Sequence, residues 1–237
     1  MSMQITEIAG QILARAEQRA EVAAQNITNA STPGYRRRIS FSELMAAGAT
    51  PGTASARQHG AVAADFTAGQ LQQTGGATDL AIAGQGFFVV RSDDATLYTR
   101  QGQFRRDDAG RLVTAQGQAL QSMDGGDVVV GDGPFQVAAD GTVTRNGEPL
   151  ARIAVVDFDD RHALVPGDGG AFAAGSAEPR PVQGAVVRQG MLEGSNVNTG
   201  DEMVAMMEAV RRAETGQRLM TTYDDLMGRA LNIFGQQ

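Results

Sequence analysis

The chain has 237 residues, with 20 basic and 27 acidic side chains and a net charge of −7 at pH 7. That length makes one or two domains, and 42% hydrophobic with 20% charged residues supports a packed core rather than disorder. The acidic balance argues against a general nucleic-acid binder, which needs a basic face. The absence of cysteine excludes disulfides, thiolate zinc sites and cysteine nucleophiles together.

From Met3 to Ala30 there is no proline, and Gly10 is the only glycine. Apolar or small residues recur at Ile5, Ile8, Ile12, Ala16, Ala20, Ala23, Ile27 and Ala30, in steps of three and four. This spacing predicts one narrow, alanine-rich stripe on a long helix, which lets another backbone approach closely. Ser31-Thr32-Pro33-Gly34 ends it, because proline cannot continue the hydrogen-bond ladder. Arg36-Arg37-Arg38 follows. It reads either as an anion-binding run or, in a chain this acidic, as ion-pair partners for carboxylates. Ser40–Ala47 fits a short helix or a strand, and 36–78 as a whole reads as an extended, turn-rich linker that contains His59.

The middle of the chain reads as β structure. Asp79–Arg91 alternates and then becomes densely apolar, Ala95–Arg100 and Arg111–Ala115 are short strands, and Val128–Val130 and Phe135–Ala138 follow. Thr142–Asp157 reads as a hairpin turning at Asn146-Gly147, the favoured type I′ pair. Short strands with regular turn signals imply a sandwich or an irregular barrel. Gly167–Pro181 reads as an exposed loop.

The C-terminal segment opens with Thr199-Gly200-Asp201-Glu202, a capping-box pattern. Met203, Met206, Val210, Ala213, Gln217 and Met220 then alternate in steps of three and four. Tyr223, Met227, Ala230 and Phe234 continue after an extra step of three, a stammer that would overwind a supercoil. Five of the ten methionines lie here, and methionine accepts irregular neighbours. The two terminal stripes could close on each other within one molecule. Their length, their small- and methionine-rich seams and their position at opposite ends of a β region favour assembly with other chains.

Constellations for chemistry are sparse. His162 follows Asp157-Phe158-Asp159-Asp160 and could join Asp159 or Asp160 in a metal or triad arrangement, but a solvated turn accounts for the same residues. Asp124, Asp127 and Asp132 lack the alternation and terminal glutamate of a calcium loop. Gly84-Gln85-Gly86 is a fragment of a glycine-rich phosphate loop without its third glycine or a following helix, and reads instead as a β-bulge or a close packing of backbones. No cofactor, catalytic or metal site is expected. No apolar run approaches the roughly 20 residues that span a bilayer, and the first 30 residues lack a signal-peptide pattern.

Four stretches resemble one family. Gln25–Tyr35, with Asn26, Asn29, Thr32, Pro33, Gly34 and Tyr35, is similar to the N-terminal signature of bacterial flagellar rod and hook proteins. Asp79–Phe88, with Gly84, Gly86, Phe87 and Phe88, resembles their central motif. Tyr98–Phe104 followed by Asp108–Gly117 resembles the next. Leu192–Asn198, with Glu193, Gly194, Ser195, Asn196 and Asn198, resembles the motif that opens the C-terminal helix. The four stand in the family's order and span the chain.

The resemblance implies an α+β fold. Long N- and C-terminal helices would form a coiled-coil layer, and a central all-β domain of short antiparallel strands would lie outside it. It implies an N-terminal rod helix over 1–34, an extended linker over 35–78, a central β domain over 79–190 and a C-terminal rod helix over 191–237. The assembly interface would comprise Ile5, Ile8, Ile12, Ala16, Ala23, Ile27, Met203, Met206, Val210, Ala213, Met220, Met227 and Phe234. The partners implied are other rod proteins, copies of the chain and the flagellar export apparatus, with the surrounding basal-body rings left open. No nucleic acid and no membrane insertion are implied. The implied function is a structural rod subunit that transmits torque across the periplasm and is exported without a cleaved signal peptide. Length, the short linker and Asp224–Ala230 resemble the proximal rod member. The distal rod member is the alternative, and a peptidoglycan-binding or hydrolysing module using Asp159, Asp160 or His162 is the alternative of another class.

Overall fold

A computed structural model describes residues 2–40, 62–92 and 95–234, the side chains of 2–6 and 230–234 excepted. The chain is α+β and divides into two compact units, residues 1–28 with 198–237, and residues 29–197. His59 and most of the Ser40–Ala47 stretch lie outside the described residues; Arg38–Ser40 is a strand.

The helical unit consists of α1, Ser2–Thr28, and α2, Thr199–Phe234. At 27 and 36 residues they extend about 40 and 54 Å. They pack against each other in antiparallel fashion: Asn26 meets Glu202, while Gly216 faces Ala9, Ile12 and Leu13. The start of α2 departs from the expected capping box. The Asn198 carbonyl accepts from Glu202 N–H, and its Oδ1 accepts from Gly200 N–H at 3.0 Å, so Asn198 is the N-cap. Thr199 is thereby the first helical residue. Glu202 falls one position too deep to reach back and turns inward instead, while Asp201 and Glu202 remain in the first turn.

The β unit is built from short antiparallel strands. Its largest sheet has nine strands. The principal order is Val165–Pro166, Ala171–Ala173, Ala95–Thr99, Phe87–Ser92, Ala119–Leu120, Leu112–Val113 and Arg105–Arg106. Val155–Asp157 pairs with the start of Phe87–Ser92 and with Arg180–Pro181. Gln136–Val137, Thr142–Arg145 and Glu148–Arg152 make a three-stranded sheet. Asn146 and Gly147 both have positive φ, as the type I′ turn demands. Two-stranded pairings join Arg38–Ser40 to Val62–Ala64, Leu71–Gln73 to Met191–Glu193, and Leu80–Ala83 to Val186–Gln189.

The dense Phe87-Phe88 run is explained by burial on both faces, since successive side chains in a strand point to opposite sides. Phe88 belongs to a cluster with Leu80, Val90, Leu112, Leu120 and Ile153, and meets Phe104 edge-on at 5.5 Å. Phe87 belongs to another cluster with Tyr98, Phe158, Leu164 and Phe172. Two sequence expectations change. Val128–Val130 is not a regular strand, because the segment is held by single bridges, although Val128 and Val130 are buried. The expected loop at 167–181 contains a 3-10 turn, Asp168–Gly170, and two strands. Phe172 is the large apolar anchor that seats this glycine-rich stretch in the core.

Candidate functional site

The four family-like motifs converge in the β unit on one buried ion cluster, except for those residues that belong to the helices. Thr32 N–H donates to the Asn29 carbonyl, and Tyr35 N–H donates to the Thr32 carbonyl, making a turn with Pro33 and Gly34 at its centre. Gly34 has φ +68°, and a Cβ there would lie 2.3 Å from the Arg100 carbonyl group. Both facts demand glycine. Gly34 N–H also donates to the Glu193 carbonyl at 2.7 Å. The chain then carries Arg36 inward, where its Nη2 donates to Glu193 Oε1 at 2.7 Å.

Glu193 Oε1 also accepts from Gly69 N–H at 2.9 Å, and its Oε2 accepts from Arg100 Nη1 at 3.2 Å. Arg100 continues to the Ile82 carbonyl at 3.1 Å and to the Gly84 carbonyl, with its guanidinium over Phe87. All three charged side chains are buried. Burial pulls the Arg100 guanidinium down to about 10; Glu193 opposes this shift and Arg36 reinforces it. Asn196 supplies a second tie. Its Oδ1 accepts from Arg37 N–H at 2.6 Å, and its Nδ2 donates to the Asp65 and Thr67 carbonyls. Gly194 N–H bonds to Gln70, and Ser195 Oγ accepts from Val197 N–H. The Arg36–Arg38 run is thus internal wiring: Arg36 makes an ion pair, and Arg38 Nη2 donates to the Gly167 carbonyl.

In the helical unit Ala9, Ala16 and Ala23 on α1, and Glu202, Ala209 and Gly216 on α2, are buried at seven-residue spacing, with Val22 and Asn26 also buried on α1. Met206, Ala213, Met220 and Tyr223 are half-buried between them. The α2 seam therefore runs 202, 206, 209, 213, 216, 220, 223 in unbroken steps of four and three, and the expected stammer disappears. A stripe traced through large apolar side chains misses Ala209, Gly216 and Glu202. Yet small residues are what allow two backbones to approach. Asn26 is fully buried and donates from Nδ2 to Glu202 Oε2 at 3.1 Å, a polar pair inside this seam.

The residues expected at an assembly interface divide between two environments. Ala16 and Ala23 are buried, and Ile12, Ile27, Met206, Ala213 and Met220 are half-buried. Ile8, Met203, Val210 and Met227 are exposed. On α2 the exposed set also includes Val204, Met207, Leu219 and Leu226, all seven being 41–58% exposed. Met203, Met207 and Val210, at steps of four and three, share one face. Ile5 and Phe234 lie outside the residues whose side chains are described.

The acidic stretch near His162 lies along an open cleft of about 930 Å³ that also includes Phe66, Phe158 and Arg37. Its acids are engaged. Asp157 is held by Arg161 at 2.6 Å, Asp159 by Arg180 at 2.6 Å, and Asp160 Oδ1 accepts from His162 N–H. Hydrogen bonds from Arg161 and Phe158 N–H outweigh burial and hold the Asp157 carboxyl below its ordinary range, the wrong direction for a general acid. Asp127 accepts from Arg91, Gln121 and Arg111, which leaves it no role in a calcium loop. Among the described residues no group of three or more His, Asp or Glu side chains could hold a metal. Gly86 packs where a Cβ would meet Val155 at 2.8 Å, so it serves close packing rather than phosphate binding.

Comparisons with known proteins address the motifs directly. A family model described as Flagellar hook protein FlgE/F/G D1 domain matches residues 81–169. A second, described as Flagellar basal body rod FlgEFG protein C-terminal, matches residues 188–233. The flagellar basal-body rod protein FlgF of Caulobacter vibrioides is 32% identical over 224 residues, covering 91% of each chain. FlgF of Salmonella typhimurium is 34% identical, covering 88% of this chain and 89% of its own. FlgG of Bacillus subtilis is 29% identical, covering 90% and 92%. With relatives this similar along almost the whole length, the chain belongs to the flagellar basal-body rod protein family.

Proposed function

We propose that this chain is a structural subunit of the flagellar basal-body rod, and that helices of neighbouring rod subunits complete its terminal helices. The observation that carries the reading is the apolar row left in solvent on α2 after it has paired with α1. Methionine, valine and leucine in such a row are a liability unless another surface covers them. Each would contribute about 1.5–3 kcal/mol once buried.

In this reading residues 1–34 and 191–237 are the rod segments, 35–78 a linker and 79–190 the central β domain. Ile8, Met203, Val210 and Met227 meet neighbouring helices in a coiled-coil layer. Ile12, Ala16, Ala23, Ile27, Met206, Ala213 and Met220 set the pairing that presents them, and Ile5 and Phe234 extend the rows by spacing. Many modest contacts repeated around a lattice resist torque collectively, as stacked repeats do. The length and the short linker favour a place in the proximal rod over the distal rod, with copies of this chain and other rod proteins as neighbours. Delivery through the flagellar export apparatus and contact with the surrounding rings belong to the same reading. Among the described residues no helix is long and apolar enough to cross a membrane.

The test is Met207→Asp and Val210→Asp, each on the exposed face. Both are expected to change the stability of the purified monomer by less than about 0.5 kcal/mol, while removing the subunit from basal bodies and abolishing swimming. Normal rods and normal motility in both variants would overturn the reading.

A further inference from the structure

Asn146-Gly147 is the tip of the hairpin that joins Thr142–Arg145 to Glu148–Arg152, and both residues are exposed. A primary amide followed by glycine is reactive as well as a turn signal. The backbone nitrogen of the following residue can attack the side-chain amide carbon, and glycine presents that nitrogen with no side chain beside it. Among the described residues nothing lies within 4 Å of where a Gly147 Cβ would stand. The other five asparagines precede bulkier residues: Asn26 and Asn232 precede isoleucine, Asn29 alanine, Asn196 valine and Asn198 threonine. Four of them are also occupied. Asn26 is buried against Glu202, and the side-chain oxygens of Asn29, Asn196 and Asn198 accept hydrogen bonds.

The backbone adds a second reason. Asn146 has φ +53° and Gly147 φ +86°. Ring closure between the side chain and the next nitrogen turns the Asn146–Gly147 peptide plane over by about 150°, the passage from a type I′ to a type II′ turn. Both turn types have the same positive φ at the first position, so the unfavourable left-handed asparagine is already in place. Both also close a two-residue hairpin. The ladder pairs Arg145 with Glu148, outside this peptide, so the flip leaves that pair standing.

We propose that Asn146 is a site of spontaneous deamidation in the folded protein. The Gly147 nitrogen gives up its proton and bonds to Asn146 Cγ. The Cγ–Nδ2 bond breaks, ammonia leaves, and a succinimide ring closes. Water then opens the ring at either carbonyl, giving aspartate or isoaspartate, with nothing oxidised or reduced. Both products add a negative charge beside Glu148. Isoaspartate also inserts Cβ into the main chain, which lengthens the turn and disturbs the register that the turn sets. The site is independent of the chain's place in a rod.

The full-length protein should be incubated at pH 6 and pH 9 and its peptides mapped by mass spectrometry. The peptide containing Asn146 is expected to gain about one dalton, faster at pH 9, and to become a substrate for isoaspartyl methylation. Asn146→Gly keeps a turn of the same type and should lose this release of ammonia. The incubation is then repeated in urea well below the unfolding midpoint. A local flip predicts an unchanged rate. A rate that climbs with the unfolded fraction assigns the reaction to the unfolded chain and overturns the proposal. An intact Asn146, or earlier loss of ammonia from another asparagine, also overturns it.

Discussion

The two units of this chain bury opposite kinds of residue. The β unit encloses Phe88, Leu80, Leu112, Leu120 and Ile153 almost completely and pairs its buried charges with one another. The helical unit buries chiefly small residues, Ala9, Ala16, Ala23, Ala209 and Gly216, and leaves Met203, Val204, Met207, Val210, Leu219, Leu226 and Met227 exposed. Apolar burial scales with the area removed from water. The first unit therefore holds most of its stabilising contacts within itself, whereas the second leaves more of its large apolar side chains exposed.

That contrast can be broken most severely at Glu193. Glu193→Ala leaves two buried guanidinium groups without their carboxylate, and the expected cost is about 3–5 kcal/mol in urea unfolding. Gly34→Ala should follow, with a loss of at least about 2 kcal/mol, because the new Cβ meets Arg100 backbone at a positive φ. Acid gives a smaller effect. Bonds to Gln121 and Arg111 hold the Asp127 carboxyl below its usual range, and bonds to Arg161 and Phe158 N–H do so for Asp157. These groups bind fewer protons folded than unfolded. Their stabilisation is complete above about pH 4 and drains away as pH falls through the depressed folded values. The urea midpoint should accordingly be lower at pH 3 than at pH 7. The smallest change sharpens the contrast in the other direction. A Cβ at Gly216 would meet Ile12 at an ordinary 3.6 Å. Gly216→Ala should therefore raise helical-unit stability by about 0.5–1 kcal/mol, read as slower amide exchange along α2.

Much of this was legible in residue order. The periodicity of 5–30 and 203–234 announced two helices, and Asn146-Gly147 announced its turn, because both depend on neighbours a few positions apart. The seam was less legible. Large apolar side chains draw the eye to Met203 and Val210, while close helix contact selects Ala209 and Gly216, and only the partner helix reveals which face is inside. Glu202 looked like a capping residue because capping is local; its buried partner, Asn26, is 176 positions away. Arg100, at the end of an expected strand, carried no signal beyond its place in the family-like stretch Tyr98–Phe104. A hint lay in the motif pattern, since a glutamate at 193 set among glycine and asparagine in a family-like stretch needs some reason other than solvent exposure.

What the sequence alone determined was the two terminal helices, the β character of the middle and the family resemblance, since helix periodicity, turn chemistry and short motifs are written within a few residues of one another. Tertiary structure alone decided which face of each helix is covered and that Arg36, Arg100 and Glu193 share one buried site. Those outcomes depend on contacts between segments far apart in the chain, where burial and charge neutralisation are settled by what arrives from elsewhere.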